Sequence, residues 1–254
     1  MELQIIGSSP DSPGTLQYGS SAVINGSVVI DAGSIGFWGT PHQQAAIKHI
    51  FLTHSHIDHI ASLPTFLDNV FDPETEAVTI HATADTLAVL REHIFNDKVW
   101  PDFFGMKPSG RAFLNPHPVV PGQEMEVEGL RILPVRVNHI VDTVGYIISD
   151  GRSTVIFGAD SGPTDEIWQI ASTFKEPRTV LIEASFPNGM KRIAELSGHL
   201  TPKLVGAEIK KMPAMQRLLV VHVKPRFRDL IEKELEALKI EGLCIAKCNG
   251  KYKV

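Results

Sequence analysis

Residues 51–60 read Phe-Leu-Thr-His-Ser-His-Ile-Asp-His-Ile, which places His54, His56, Asp58 and His59 within six positions. The apolar run at 47–52 predicts a buried strand leading into them. Behind them Ile60, Leu63, Phe66 and Leu67 recur at helical spacing. The four side chains therefore belong on a strand-to-helix loop, where a rigid scaffold aims several groups at one point. Alternate residues of an extended segment point the same way, so His54 and His56 can share one metal ion. Asp58 and His59, further round the turn, can face a second. Imidazole and carboxylate are ligands for zinc and its first-row neighbours. A lone histidine would read as a solvated loop residue; four ligand-type residues directly after a buried strand do not.

A chain of 254 residues can bury a full α/β core. Its 43% hydrophobic and 21% charged residues mark an ordered, globular sequence. A net charge of −5 argues against a broad nucleic-acid grip, so no stable nucleic-acid partner is expected. A small anionic substrate remains compatible, because metal ions supply local positive charge. Cys244 and Cys248 are too few for a disulfide framework and read as strand residues. The N-terminus has no signal-peptide pattern and no stretch has membrane-spanning length, so a cytoplasmic protein without a membrane partner is expected. Monomer and homodimer both stay open.

Taken in order, residues 3–6 predict a strand and residues 7–20 a Gly/Ser/Pro-rich loop. The runs 21–24 and 27–30 flank Asn25-Gly26, a strong hairpin signal. The second run ends at Asp31, a carboxylate placed either to orient a ligand imidazole from behind or to cap a turn. A strand is expected at 78–81 and a helix at 82–95, with Thr83 and Asp85 near its start. The aromatic-rich stretch that follows, with Asn96, Trp100 and Phe103, reads as a wall for a planar ligand or as a helix end pinned to the core. His139 follows an alternating strand at 131–137. Asp160 ends the second arm of a hairpin formed by 144–148 and 153–158, and a helix is expected at 164–173. Glu183 lies at the end of a buried strand, 178–184. His199 precedes a helix with Thr201 as cap and Pro202 in its first position. His222 stands at the end of a strand at 218–221. An amphipathic helix at 227–238, a strand at 243–246 and a solvated basic tail close the chain.

The pattern H-x-H-x-D-H, with His139, Asp160 and His222 following in order, resembles the signature of the metallo-β-lactamase superfamily. That resemblance implies an α/β fold, a metallo-β-lactamase-like αββα four-layer sandwich, with residues 1–254 as a single domain. It also implies a dinuclear site. His54, His56 and His139 would bind one metal, Asp58, His59 and His222 the other, and Asp160 would bridge them. The cofactors would be two divalent ions, zinc first, with manganese, iron or magnesium as alternatives. Such a pair holds a hydroxide that attacks at neutral pH.

Longer segments are similar to class II cyclic-nucleotide phosphodiesterases: residues 182–188 (Ile-Glu-Ala-Ser-Phe-Pro-Asn), residues 198–202 (Gly-His-Leu-Thr-Pro), residues 158–163 (Gly-Ala-Asp-Ser-Gly-Pro), and Phe95-Asn96 with residues 100–103 (Trp-Pro-Asp-Phe). The chain departs from that family's common Gly-Asp-Thr-Gly, having Gly-Ala-Asp160-Ser161-Gly instead. The resemblance implies hydrolysis of a 3′,5′-cyclic nucleotide to the 5′-monophosphate, with Asn96, Trp100 and Ser161 on the substrate side. Glu183 and His199 also resemble the Glu/His pair of tRNA 3′-end endonucleases, which protonates the leaving oxygen. By that likeness His199 and Glu183 are catalytic groups, and Asp58 of the H-x-H-x-D-H motif is counted with them. The alternatives are tRNA 3′-processing and a non-catalytic nucleotide-binding protein on the same fold.

Overall fold

Short runs rich in valine and isoleucine, each bounded by a turn signal, dictate the strands. The computed structural model describes residues 1–8, 17–176 and 178–254. Of the loop expected at 7–20, residues 9–16 lie outside the described residues. The chain divides into two compact units, Glu2–Val120 with Cys248–Tyr252, and Pro121–Lys247 with Met1 and Lys253–Val254. Among the described residues the strands form two sheets of seven.

The first unit contributes β1 (Glu2–Ile5), β2 (Ala22–Ile24), β3 (Val28–Ile30), β4 (His49–Phe51), β5 (Val78–Ala82) and β6 (Leu114–Pro118), with the chain's last strand, β14 (Lys251–Lys253), beside β1. β1, β2 and β3 pair antiparallel, and β3 to β6 run parallel. The turn between β2 and β3 is the one expected. Asn25 and Gly26 sit at φ 50° and 76°, and Ser27 N donates to Ile24 O at 3.2 Å, the geometry of a type I′ hairpin. Val29, Ile50, Ile80 and Leu114 bury one face of the sheet with Leu63, Phe66 and Leu67, which come from the helix Leu63–Val70.

The second unit repeats this plan with β7 (Met125–Val127), β8 (Leu130–Arg136), β9 (Val144–Ser149), β10 (Thr154–Phe157), β11 (Arg178–Glu183), β12 (Arg217–Val221) and β13 (Leu243–Ile245). β7 to β10 are antiparallel and β10 to β13 parallel. Ile147, Ile156, Val180, Ile182 and Val220 pack with Ile167, Trp168, Val205, Ile231 and Leu235 from the surrounding helices. In a parallel run every strand ends at the same edge, so the loops after β3 and β4, and those after β10, β11 and β12, each gather at one place.

Several expectations need correction. The helix after the histidine cluster begins earlier, at Ile57, so Asp58 and His59 lie on helix rather than loop. The stretch 82–95 is strand to Ala82, then helix over Ala84–Val89 capped by Thr83, then a π-turn over Leu90–Ile94. β6 is not evident from sequence because it contains Pro116 and Pro118. It is an edge strand, and two prolines at alternate positions both turn their missing N–H away from β5. The basic tail is not a loose end but β14, an edge strand carrying Lys251 and Lys253. Lysines on an open edge discourage pairing with a further strand. Cys244 lies in β13, whereas Cys248 is buried in a turn. Among the described residues no helix is long and apolar enough to cross a membrane.

Candidate metal centre

In the first unit, β3 ends at Ile30 and Asp31 follows at φ 60°. A left-handed aspartate is uncommon and persists where side-chain hydrogen bonds hold it. Asp31 is fully buried. Its Oδ1 accepts from Thr53 N at 2.8 Å, and both carboxylate oxygens lie 3.0 Å from Thr53 Oγ1. Its Oδ2 accepts from His59 Nδ1 at 2.7 Å. The imidazole therefore carries its proton on Nδ1 and turns Nε2 outward as a ligand atom. Thr53 Oγ1 also lies 3.0 Å from His54 Nδ1. The ring of His54 stands 4.6 Å from that of His56 and 4.1 Å from that of His59. The chain around this cluster is tightly threaded: a Cβ on Gly33 would fall 1.9 Å from Asp58 O, so only glycine fits there.

In the second unit, His139 lies just beyond β8, Asp160 beyond β10, Glu183 ends β11, and His222 follows β12. Ala159 and His222 take φ 54° and 53°. Left-handed non-glycine residues at two strand ends store strain of the kind found at functional sites. The loops are tied together by Gly162 N donating to Asn138 O at 2.7 Å and Asn138 Nδ2 donating to Pro163 O at 3.1 Å. His139 Nδ1 donates to Gly198 O at 2.9 Å. Gly198 ends the helix Lys191–Ser197 at φ 67°, and a Cβ there would come 2.9 Å from His139 Nδ1. This glycine thus closes a helix, accepts from one histidine and presents the next, His199.

Glu183 is fully buried and its carboxylate is saturated with donors. Oε1 accepts from His199 Nδ1 at 2.7 Å and from Ser161 N at 3.0 Å. Oε2 accepts from Ser185 Oγ at 2.7 Å and from Ser185 N and Leu200 N at 3.2 Å. His222 Nδ1 meets Ser185 Oγ at 2.8 Å, while its Nε2 is 3.3 Å from Asp160 Oδ2. Two donors on one tetrahedral ion with bonds near 2.1 Å stand about 3.4 Å apart, so this spacing suits a shared metal. Ligand atoms of His139, Asp160 and His199 lie within 4.8 Å of one another, as do those of Glu183, His199 and His222.

The donor set fits divalent ions. Five imidazoles, His54, His59, His139, His199 and His222, are each engaged through Nδ1. Each can offer Nε2, as zinc-type sites require, with an oxygen behind every ring, on a buried residue for all but His139.

The substrate-side candidates divide differently. Asn96 builds its own loop: Oδ1 accepts from Lys98 N and Val99 N, and Nδ2 donates to Glu92 O. Trp100 packs partly buried against the core, edge-on to Phe103 at 6.5 Å. Its Nε1 is buried with no hydrogen-bond partner among the described residues. The loop follows a π-turn closed by Phe95 N donating to Leu90 O, an element often placed at functional sites. Ser161 is buried and gives its backbone N–H to Glu183. Sequence reasoning misses Thr53, Ser185 and the helix Lys191–Ser197. A glycine after residues 191–197 is the available signal for the helix; the two hydroxyls carry none.

A "probable 3′,5′-cyclic-nucleotide phosphodiesterase" from Yersinia pestis is 28% identical over 222 residues, covering 75% of this chain and 63% of that protein. The chain spans 54–63% of the length of the curated phosphodiesterases of this kind that it matches. A ribonuclease Z from Archaeoglobus fulgidus is 21% identical over 245 residues, covering 76% of this chain and 75% of that one. The crystal structure of the metallo-β-lactamase fold protein YhfI from Bacillus subtilis superposes with a TM-score of 0.73 at 18% identity, over 99% and 98% of the two chains. That likeness establishes the fold class. The model of the beta-lactamase superfamily domain matches residues 28–223, well over half of the chain, and the chain belongs to that family.

Proposed function

We propose that the chain is a metal-dependent phosphodiesterase that hydrolyses 3′,5′-cyclic nucleotides to 5′-monophosphates. The observation that carries this reading is the set of five histidines engaged through Nδ1, two of them by buried carboxylates. In this reading His54, His56, Asp58 and His59 of the first unit, and His139, Asp160 and His222 of the second, are the metal ligands. Zinc is the first choice for both ions, since imidazole and carboxylate suit it. Bound ions supply positive charge for a phosphate and acidify a water towards neutrality.

The remaining work falls to the protein's own groups. His199, not needed to complete the ligand set, gives a proton to the departing 3′ oxygen of the ribose. Proton donation to such a poor leaving group is worth ~10²–10⁴-fold. Glu183 accepts from His199 Nδ1 and so aims Nε2 as the donor atom. Asp58 is the acidic ligand on the first helix turn. Trp100 takes the base by stacking, and Asn96 shapes the loop that presents it. Ser161 lines the substrate side next to Asp160. The match to a cyclic-nucleotide phosphodiesterase supports the substrate class.

The match to a ribonuclease Z keeps one second reading, RNA 3′-processing. A panel of cyclic AMP, cyclic GMP, simple phosphodiesters and precursor tRNA, with products resolved by chromatography, separates them. Cyclic nucleotides giving 5′-monophosphates are expected. Cleavage of precursor tRNA with no turnover of cyclic nucleotides would replace the proposal with the second reading.

A further inference from the structure

Ser185 stands at a junction. Its Oγ is 2.7 Å from Glu183 Oε2, 2.8 Å from His222 Nδ1, 3.1 Å from His222 O and 3.3 Å from His199 Nδ1. A hydroxyl has one proton to give. The carboxylate oxygen is both the nearer and the stronger acceptor than the carbonyl of His222, so the proton goes to Glu183. The oxygen of Ser185 is then an acceptor towards His222, and the ring must carry its hydrogen on Nδ1. Its Nε2 lone pair is thereby fixed on the side where Asp160 Oδ2 lies 3.3 Å away.

The first unit holds the same device. Asp31 grips one imidazole directly, His59, and reaches a second, His54, through the hydroxyl of Thr53. Glu183 grips His199 directly and reaches His222 through Ser185. Each buried carboxylate thus sets two rings, one by contact and one through a hydroxyl. His222 also sits at φ 53°, in the left-handed region.

We propose that Ser185 is a positioning residue that locks His222 in the Nδ1–H form and so readies its Nε2 for a metal ion. The proposal rests on the metal-site reading given above, and its test has one arm that does not.

The first measurement is the tautomer of His222 in the metal-free protein, from ¹⁵N–¹H correlation spectra of the ring. The wild type should show the Nδ1–H form, and the Nε2–H form would overturn the proposal outright. The second is zinc affinity by competition with a chromophoric chelator. Ser185→Ala should mix the His222 tautomers and weaken one of two sites by about 10–100-fold, the usual effect of losing an outer partner of a ligand. Ser185→Thr, which keeps the hydroxyl, should restore both. Wild-type affinity and tautomer in Ser185→Ala would also refute it. If the wild type bound no divalent ion, the metal-site reading would fall while the tautomer measurement still decided the role of Ser185.

Discussion

Replacing Asp31 by alanine should be among the most destabilising changes available to the first unit, well before any ion is added. Its carboxylate accepts from Thr53 N at 2.8 Å and from His59 Nδ1 at 2.7 Å, in a site with no solvent access to Asp31, Thr53 or His54. Alanine leaves both N–H groups buried without that acceptor. At about 1–3 kcal/mol for each orphaned donor, the two cost about 2–6 kcal/mol. The backbone at φ 60° adds strain of about 1 kcal/mol that alanine cannot offset with a side-chain bond. A loss of about 3–7 kcal/mol in a chain of this size corresponds to a Tm drop on the order of 10–20 °C. Asp31→Asn keeps one acceptor and tolerates the left-handed backbone, so it should lose roughly half as much. The assay is urea and thermal unfolding of metal-free protein for wild type and both variants. If Asp31→Ala unfolded within about 1 kcal/mol of wild type, below the cost of even one orphaned donor, this carboxylate would not organise the histidines, and Asp31 would be a turn cap.

Three further outcomes are expected. His199→Ala should keep its metals and lose turnover of a cyclic nucleotide, yet lose far less on a diester with a nitrophenolate leaving group, which departs without a proton; equal losses on both, with metals intact, would remove His199 from the acid role. Trp100→Ala should raise KM for cyclic nucleotides much more than for a small aryl phosphodiester, since stacking on a base is worth roughly 1–3 kcal/mol; parallel losses would make the loop a packing element only. Burial, with His117 and His49 alongside, holds the His81 imidazole down from 6.5 to about 3. The unfolded chain therefore takes up this proton first. Stability should fall as pH drops from about 6.5 towards 3, at a slope of up to ~1.4 kcal/mol per pH unit from this group. His81→Leu should flatten that profile by one proton; identical slopes would show that His81 is not the source.

Much of the fold is legible in the sequence because its signals are local. Asn25-Gly26 permits a type I′ turn that few other pairs accept, and the runs that form β9 to β12 are too apolar to be anything but buried. The histidines and Asp160 stand out because polar ligand types directly after buried strands have few structural uses. What stays hidden depends on partners distant in sequence. β6 carries two prolines and reads as loop until β5 pairs with it along one side. The tail reads as solvated until β1 offers it an edge. Thr53 and Ser185 are ordinary hydroxyls in sequence, and they gain a role only where Asp31 and Glu183 lie 3.0 and 2.7 Å away. The helix Lys191–Ser197 has little apolar periodicity, and Gly198 is its clearest mark.

On the proposed reading, two ions held by histidines that buried carboxylates set in place serve the hydrolysis of a cyclic nucleotide. The most direct measurement is metal content per chain by mass spectrometry, taken together with the rate of 5′-monophosphate release from cyclic AMP and cyclic GMP. It should be made on wild type and Asp160→Ala, before and after exhaustive chelation and after zinc is restored. The expected result is close to two ions per wild-type chain, activity that vanishes on chelation and returns with zinc, and an Asp160→Ala protein short of at least one ion and nearly inactive. Wild-type turnover that survives complete removal of the metals would contradict it.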